Sequence, residues 1–253
     1  MKDLFLARAV AFNSFSESVR NRFFTLFAVF AFTAVYASVL AGVMAVDQEA
    51  RVLTDFGLAL IELTALAYSL FGVSSSLLKE AETKTIYLVF SRPVPRRVYL
   101  AGKLAGALLT AGLMLAIMGA IHLSLLAFRG FGFPEFYAWA LAGTFLKLAV
   151  IISFAFFVSL FSTSAVSTLV ISSIMWTLGH FAAEARFMAE RLPGFKGIVF
   201  NVFLWLIPNL QLFNARDAAG AACALGPAVL VPAAAWVAAS YLAALWLLAR
   251  KEF

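Results

Sequence analysis

Two ionisable residues stand inside long apolar stretches of this sequence. Glu62 lies within the run Phe56–Leu78, and Lys147 lies within the run Tyr137–Phe161. A charged side chain near the centre of a lipid bilayer costs roughly 2.5–3.5 kcal/mol on insertion scales, so such groups face protein or water and often mark an ion or solute pathway. Glu62 and Lys147 are therefore the first candidates for functional residues.

The two residues are expected at similar depths in a membrane. Glu62 lies seven residues after Asp55, and Lys147 lies ten residues after Tyr137, both counted from the same side. At about 1.5 Å per residue these depths differ by only a few ångströms. The sequence therefore predicts that they pair or line a shared polar cavity. The alternatives are a purely structural pair and a lysine that extends to the membrane surface.

A second group of polar residues lies in the segment 79–103. It includes Glu80, Glu82, Thr85, Arg92 and Arg96. Residues Lys79–Phe90 are predicted to form a short helix with its acidic residues in the first turn, where the helix dipole favours them. Pro93 and Pro95 end that helix, because proline has no backbone N–H to donate. The pattern indicates a rigid charged helix and turn, with an ordinary charged loop as the alternative.

Other residue types give little support for chemistry within the chain itself. The single Cys223 excludes a cysteine-based zinc site, and His122 and His180 share no ligand motif. Gly102-Lys103 lacks both the earlier glycine and the following hydroxyl of a phosphate-binding loop. We therefore expect no metal site, no cofactor and no ATP hydrolysis in this chain. A membrane-embedded enzyme, which would need clustered His, Asp, Glu or Cys, is disfavoured.

The elements that must position these residues are membrane spans. The chain is 64% hydrophobic and only 13% charged, too apolar for a surface that faces water. Six runs are close to the roughly 20 residues that a spanning helix needs: Phe23–Ala45, Phe56–Leu78, Leu104–Phe128, Tyr137–Phe161, Ala165–Ala183 and Pro227–Leu248. The further run Gly197–Ile207 is too short to span and is predicted to be re-entrant or interfacial. The expected fold is an all-α integral membrane protein with six transmembrane helices.

The distribution of Lys and Arg predicts the orientation. With the N-terminus inside, residues 1–22 and 79–103 and the C-terminal tail are cytoplasmic and hold most of the basic residues. Both termini are then cytoplasmic, and the segment 184–226 lies outside. The net charge of +6 follows this topology and suits anionic lipid, so we expect no nucleic-acid partner.

Residues 1–22 carry a helical pattern of their own. Apolar residues recur every three or four positions: Phe5, Ala9, Phe12, Phe15, Val19 and Phe23. The pattern predicts an amphipathic helix in the membrane interface, with a plain lead-in to the first span as the alternative. Gly102 and Gly106 have the spacing of a close helix contact and are interpreted as a packing motif.

The segment 79–103 resembles the cytoplasmic loop of the type 2 family of ABC exporter permeases, which includes drug, polysaccharide and copper-enzyme-maturation systems. The matching positions are Glu80, Thr85-Ile86, Ser91-Arg92-Pro93-Val94-Pro95-Arg96 and Tyr99-Leu100-Ala101-Gly102-Lys103. Lys84 replaces a residue that is often small in the family, and Pro95 replaces a common Ser. The amphipathic start, the six spans and the short basic tail are also similar to this family.

The resemblance implies a permease subunit that dimerises and docks on two copies of a separate ABC ATPase, which would hold ATP and Mg²⁺. Residues 79–90 would form the coupling helix, with Glu80 and Glu82 as ATPase contacts and Thr85, Arg92 and Arg96 in the same motif. The segment 184–226 would be an outer gate. We expect a bacterial cytoplasmic membrane protein, with export direction taken from the family. The alternative function is a non-transporting scaffold that transmits ATPase motion to a periplasmic partner.

Overall fold

The computed structural model describes residues 2–44, 48–83, 94–189, 191, 195–214 and 226–250. These residues are almost entirely helical. The elements are α1 (Lys2–Arg20), α2 (Arg22–Met44), α3 (Glu49–Glu82), α4 (Arg96–Phe128), α5 (Tyr137–Phe161), α6 (Ala165–His180), α7 (Ala182–Ala189), α8 (Phe195–Trp205), a 3-10 turn (Leu210–Phe213) and α9 (Pro227–Arg250). Long uninterrupted apolar runs form helices because each backbone N–H and C=O must find a partner without water.

Among the described residues, five helices are long and apolar enough to cross a membrane, and α6 with α7 makes a sixth if the bent pair is one span. The predicted fourth span coincides with α5. The predicted fifth span, Ala165–Ala183, breaks at Phe181, where α6 and α7 meet at 58°. With 16 residues, α6 is about 24 Å long, short of the roughly 30 Å hydrocarbon core.

Helices α3 and α5 form the centre of the bundle. In their most apolar stretches, 61% of α3 and 72% of α5 is buried within the chain, against 18% for α2 and 17% for α9. Helix α5 packs on α3, α4, α6 and α9, and α3 packs also on α2 and α4. The peripheral helices leave large apolar side chains exposed, among them Leu26, Phe30, Leu242 and Trp246.

The bundle has two ends, which we name after residues of α3. At the Glu49 end, α3 begins and α4 ends; Arg129 there forms an ion pair with Glu49. Gly130 closes α4 with a φ of 78°, a left-handed conformation that favours glycine. At the Glu80 end, α3 ends and α4 begins.

Helix α1 lies along α4, against the two glycines that the sequence marked as a packing motif. A Cβ at Gly102 would lie 2.6 Å from Val10 Cβ, and one at Gly106 would lie 2.7 Å from Ser14 Cβ. The packing interpretation is therefore confirmed, and its partner is α1. The opposite side of α1 exposes Phe5 and Phe12, as expected of a helix whose phenylalanines face acyl chains.

The sequence predicted that a separate helix starts at Lys79 and runs to Phe90. The predicted start is wrong. Residues Lys79–Glu82 continue α3 without a break, because Lys, Glu and Ala all favour a helix interior. Glu80 and Glu82 therefore lie in the last turn of a 34-residue helix, where the helix dipole does not favour them. Residues 84–93, with Thr85, Arg92 and most of the predicted coupling helix, lie outside the described residues.

Candidate functional site

The buried ion pair between Glu62 and Lys147 is at the centre of the bundle. Lys147 Nζ donates to Glu62 Oε1 over 2.6 Å, and the two side chains are only 2% and 8% exposed. The sequence predicted either a pair or a shared polar cavity, and the structure shows the pair. Two charges at this burial are tolerated because each compensates the other; removing one partner of such a pair typically costs about 3–5 kcal/mol.

Lys147 has further partners besides Glu62. Its ammonium also donates to Asn214 Oδ1 and lies 5.9 Å from the centre of the Trp176 ring. An ammonium group has three N–H donors, and an aromatic face within about 6 Å attracts a cation. The environment of Lys147 is therefore polar on several sides although it lies near the middle of α5.

His180, the last residue of α6, completes the cluster. Its Nε2 lies 3.4 Å from Glu62 Oε1, and its Nδ1 lies 3.1 Å from the Trp176 carbonyl oxygen. When Nδ1 donates to that carbonyl, Nε2 donates to Glu62 only if the ring is protonated. We call Glu62, Lys147, His180 and Asn214 the central polar cluster.

The chain before Asn214 enters the bundle to reach Lys147. Leu210 is fully buried, and the segment lies so close to α6 that a Cβ on Gly179 would sit 2.7 Å from Leu210 Cγ and 2.9 Å from the Pro208 carbonyl oxygen. Gln211 donates to Glu184 Oε1 over 2.6 Å. Residues 208–214 thus have the placement that a re-entrant segment would have, while the preceding apolar run forms the short helix α8.

A second polar group lies at the Glu80 end, where α1, α3 and α4 meet. The Tyr99 hydroxyl and the Lys103 ammonium both donate to the Glu80 carboxylate. Lys103 is 4% exposed and also lies 4.0 Å from Glu17 on α1. Glu80, predicted as an ATPase contact, is therefore already bonded within the chain and fixes the end of α3 to α4.

Arg96 also makes contacts within the chain. Its guanidinium donates to the carbonyl oxygens of Leu248 and Ala249 over 2.7 and 3.0 Å. These carbonyls are in the last turn of α9, where helix carbonyls lack backbone partners and attract a cation. Helix α3 ends at Glu82. The side chain of Glu82 lies outside the described part of the structure.

Sequence reasoning missed His180 and Asn214 as partners of the ion pair. Neither side chain carries a fixed charge, so a search for Asp, Glu, Lys and Arg within spans passed over them. Asn214 was placed in an outside segment, and His180 near the end of a straight span. The short apolar run before Pro208 was the one signal that the chain returns into the bundle.

We find no group of three or more His, Cys, Asp or Glu side chains that could hold a metal ion within the described part of the chain. The central polar cluster can bind and orient a polar group through its charges and hydrogen bonds.

Comparison with known protein families identifies a match over most of the chain. The family model described as ABC-2 family transporter protein matches residues 44–249, which include the central polar cluster and the Glu80 end. Helix α1 and nearly all of α2 precede the matched region. No curated protein sequence matches the chain significantly.

Proposed function

This chain belongs to the ABC-2 transporter family, and we propose that it is the permease subunit of an ATP-driven exporter in a bacterial cytoplasmic membrane. Membrane subunits of this family act together with an ABC ATPase subunit. We propose two ATPase copies, which hold the ATP and Mg²⁺, and a homodimer of this chain as the simplest closed symmetry. In this proposal both termini and the Glu80 end face the cytoplasm, and the Glu49 end faces outside.

The central polar cluster is the observation that carries the proposal. It joins the two most buried helices to the segment 208–214, which we propose as the inner part of an outer gate spanning 184–226. The Lys147 contact to Asn214 holds this segment inside the bundle. When the segment withdraws, Lys147 keeps Glu62 as its counter-ion, so an opened path exposes a paired charge rather than an isolated one.

At the Glu80 end we propose that ATPase motion enters through residues 79–103. Glu80, Glu82, Thr85, Arg92 and Arg96 are its proposed coupling residues. Glu80 takes part without touching the ATPase. Its hydrogen bonds with Tyr99 and Lys103 make the end of α3 move with α4. Arg96 extends the same connection to the end of α9.

The first test is purification of the tagged full-length chain from its native membranes in mild detergent. We expect an ABC ATPase to co-purify. Absence of an ATPase, under conditions that keep another ABC exporter intact, would overturn the permease proposal.

The second test asks whether the segment 208–214 responds to ATP, and it needs no knowledge of the substrate. In a Cys223→Ser background, Gln211→Cys is labelled with a membrane-impermeant maleimide in nanodiscs that contain the ATPase complex. Labelling should differ by about tenfold between the nucleotide-free and ATP-bound states, since the segment leaves the bundle in one of them. Gly132→Cys, on an exposed turn at the same end, is the matched control and should not change. Equal rates at position 211 would contradict the proposed role of this segment in an outer gate.

A further inference from the structure

A narrow cleft lined with hydroxyl groups runs between α1, α3 and α4, apart from the central polar cluster. Its inner chamber has a volume of about 30 Å³ and is lined by residues that include Ser69, Tyr68, Thr110 and Ser14. An outer chamber of about 60 Å³ shares Ser14, Tyr68 and Gly72 and reaches Lys79 at the Glu80 end. About 10–15 Å³ of such volume holds one water molecule, so the cleft has room for several non-hydrogen atoms of a ligand.

Ser69 is the observation that points to an occupant. Its side chain is 6% exposed, and its hydroxyl oxygen is buried without a hydrogen-bond partner. A buried hydroxyl without a partner is destabilising, so most such groups meet a ligand or water. Because Ser69 lines the inner chamber, the partner it lacks belongs in the cleft.

The other hydroxyls decide which chemistry fits. Ser18 donates to the Ser14 carbonyl oxygen, Tyr68 to the Ser18 carbonyl oxygen, and Thr110 to the Gly106 carbonyl oxygen. Their hydrogens are engaged, and their oxygens remain as acceptors. A ligand that donates to these oxygens and accepts from Ser69 would satisfy all four hydroxyl groups. An anion only accepts, and a cation only donates, whereas an alcohol does both.

We propose that this cleft binds an uncharged group with neighbouring hydroxyls, either a free polyol or the polyol headgroup of a lipid. The residues at the opening of the cleft are compatible with either a free polyol or a lipid headgroup. Lys79, Glu17 and Asn21 line this opening with polar groups, while Phe23 lies against Phe71 with ring centres 4.7 Å apart and is 45% exposed. The binding site is a property of the chain and does not depend on the transport proposal.

Gly72 provides a way to block the cleft without disturbing the helix. It lines both chambers, and a Cβ there meets no atom within 4 Å. Gly72→Val therefore adds a side chain beside both chambers without a clash, and it removes a glycine from a helix interior. Gly132 is the control, because its Cβ also meets nothing within 4 Å and it lies just after α4, at the Glu49 end of the bundle and away from the cleft.

The experiment measures two probes on the purified full-length chain. Radiolabelled glycerol is measured by scintillation proximity, and retention of phosphatidylglycerol against phosphatidic acid, which is also anionic but lacks the headgroup glycerol, is measured by native mass spectrometry. We expect the wild type to bind one of them; glycerol identifies a free polyol and preferential phosphatidylglycerol retention identifies a lipid headgroup. Ser69→Ala should weaken that binding by about fivefold, the factor for one hydrogen bond, and Gly72→Val should abolish it.

Two controls keep the result specific. Ser172→Ala removes another buried hydroxyl without a partner but lies on α6, and with Gly132→Val it should bind as the wild type does. If Gly72→Val fails to fold, Gly72→Ala replaces it, with a smaller decrease expected. The proposal is overturned if the wild type binds neither probe, or if Ser69→Ala and the Gly72 variant bind as tightly as the controls.

Discussion

Lys147 on α5 and Glu62 on α3 are joined by a 2.6 Å hydrogen-bonded ion pair between the two most buried helices of the bundle. The pair fixes the relative height and rotation of these helices, because neither charge can leave the other without being stranded in an apolar environment. Several testable properties of the chain depend on this pair and on the close contacts around it.

Glu62→Gln and Lys147→Met should each lower the free energy of unfolding by about 3–5 kcal/mol, because each strands a buried charge. The double variant should lose less than the sum of the two. Thermal and denaturant unfolding of the purified chain in detergent measures this. Asp55→Asn is the control: its partner Arg51 is 3.8 Å away and exposed, so the change should be below about 1 kcal/mol. Additive losses in the double variant would contradict the coupling.

Gly102→Ala should loosen α1 from α4. The new methyl would lie 2.6 Å from Val10 Cβ and 2.9 Å from the Ala7 carbonyl oxygen, and overpacking of this kind costs about 1–3 kcal/mol. Hydrogen exchange of α1 amides should become faster. Gly112→Ala on the same helix is the matched control, since its Cβ would be 3.4 Å from the Phe145 ring. That variant should leave the exchange of α1 unchanged.

Glu80→Gln should reduce co-purification of the ATPase through the fold rather than through a lost direct contact. The substitution leaves Lys103, only 4% exposed, without its closest carboxylate. Adding Lys103→Met to Glu80→Gln should therefore restore much of the ATPase binding. Should the double variant bind the ATPase as poorly as Glu80→Gln, a direct contact by the carboxylate would be the better explanation.

Gly179→Ala should displace residues 208–214 and separate Asn214 from Lys147. The methyl would meet the Pro208 carbonyl oxygen at 2.9 Å, and a backbone atom cannot rotate away. The rate of maleimide labelling of Gln211→Cys in the nucleotide-free complex should then move toward the faster of the two rates measured without and with ATP. Gly119→Ala is a suitable comparison, because its close neighbour at 2.7 Å is the end of the Leu141 side chain, which can change rotamer. Equal labelling in the two variants would exclude this role for Gly179.

The sequence was sufficient to predict the features that a bilayer imposes. The bounds of α5 follow from one unbroken apolar run. The expectation that Glu62 and Lys147 pair or share a polar cavity follows from the cost of isolated charges at similar depths. The family was also predicted correctly from the residues of segment 79–103, and the match over 44–249 confirms it.

The remaining features depend on contacts between distant parts of the chain. Nothing local to Asn214 indicates that it reaches Lys147, and nothing local to Arg96 indicates that the end of α9 lies beside it. The start of the predicted coupling helix was placed wrongly because Lys79–Glu82 are good helix formers with no preceding break, so α3 simply continues.

The attachment of α1 to α4 through Gly102 and Gly106 has a mechanical consequence. If α1 lies in the membrane interface as its sequence predicts, any tilt of α4 must carry Phe5 and Phe12 through the leaflet, because the two helices are in direct backbone contact. The lateral pressure of the lipids then acts as a load on the moving bundle. Membrane composition would set the turnover of the complex even where no lipid is bound at a specific site.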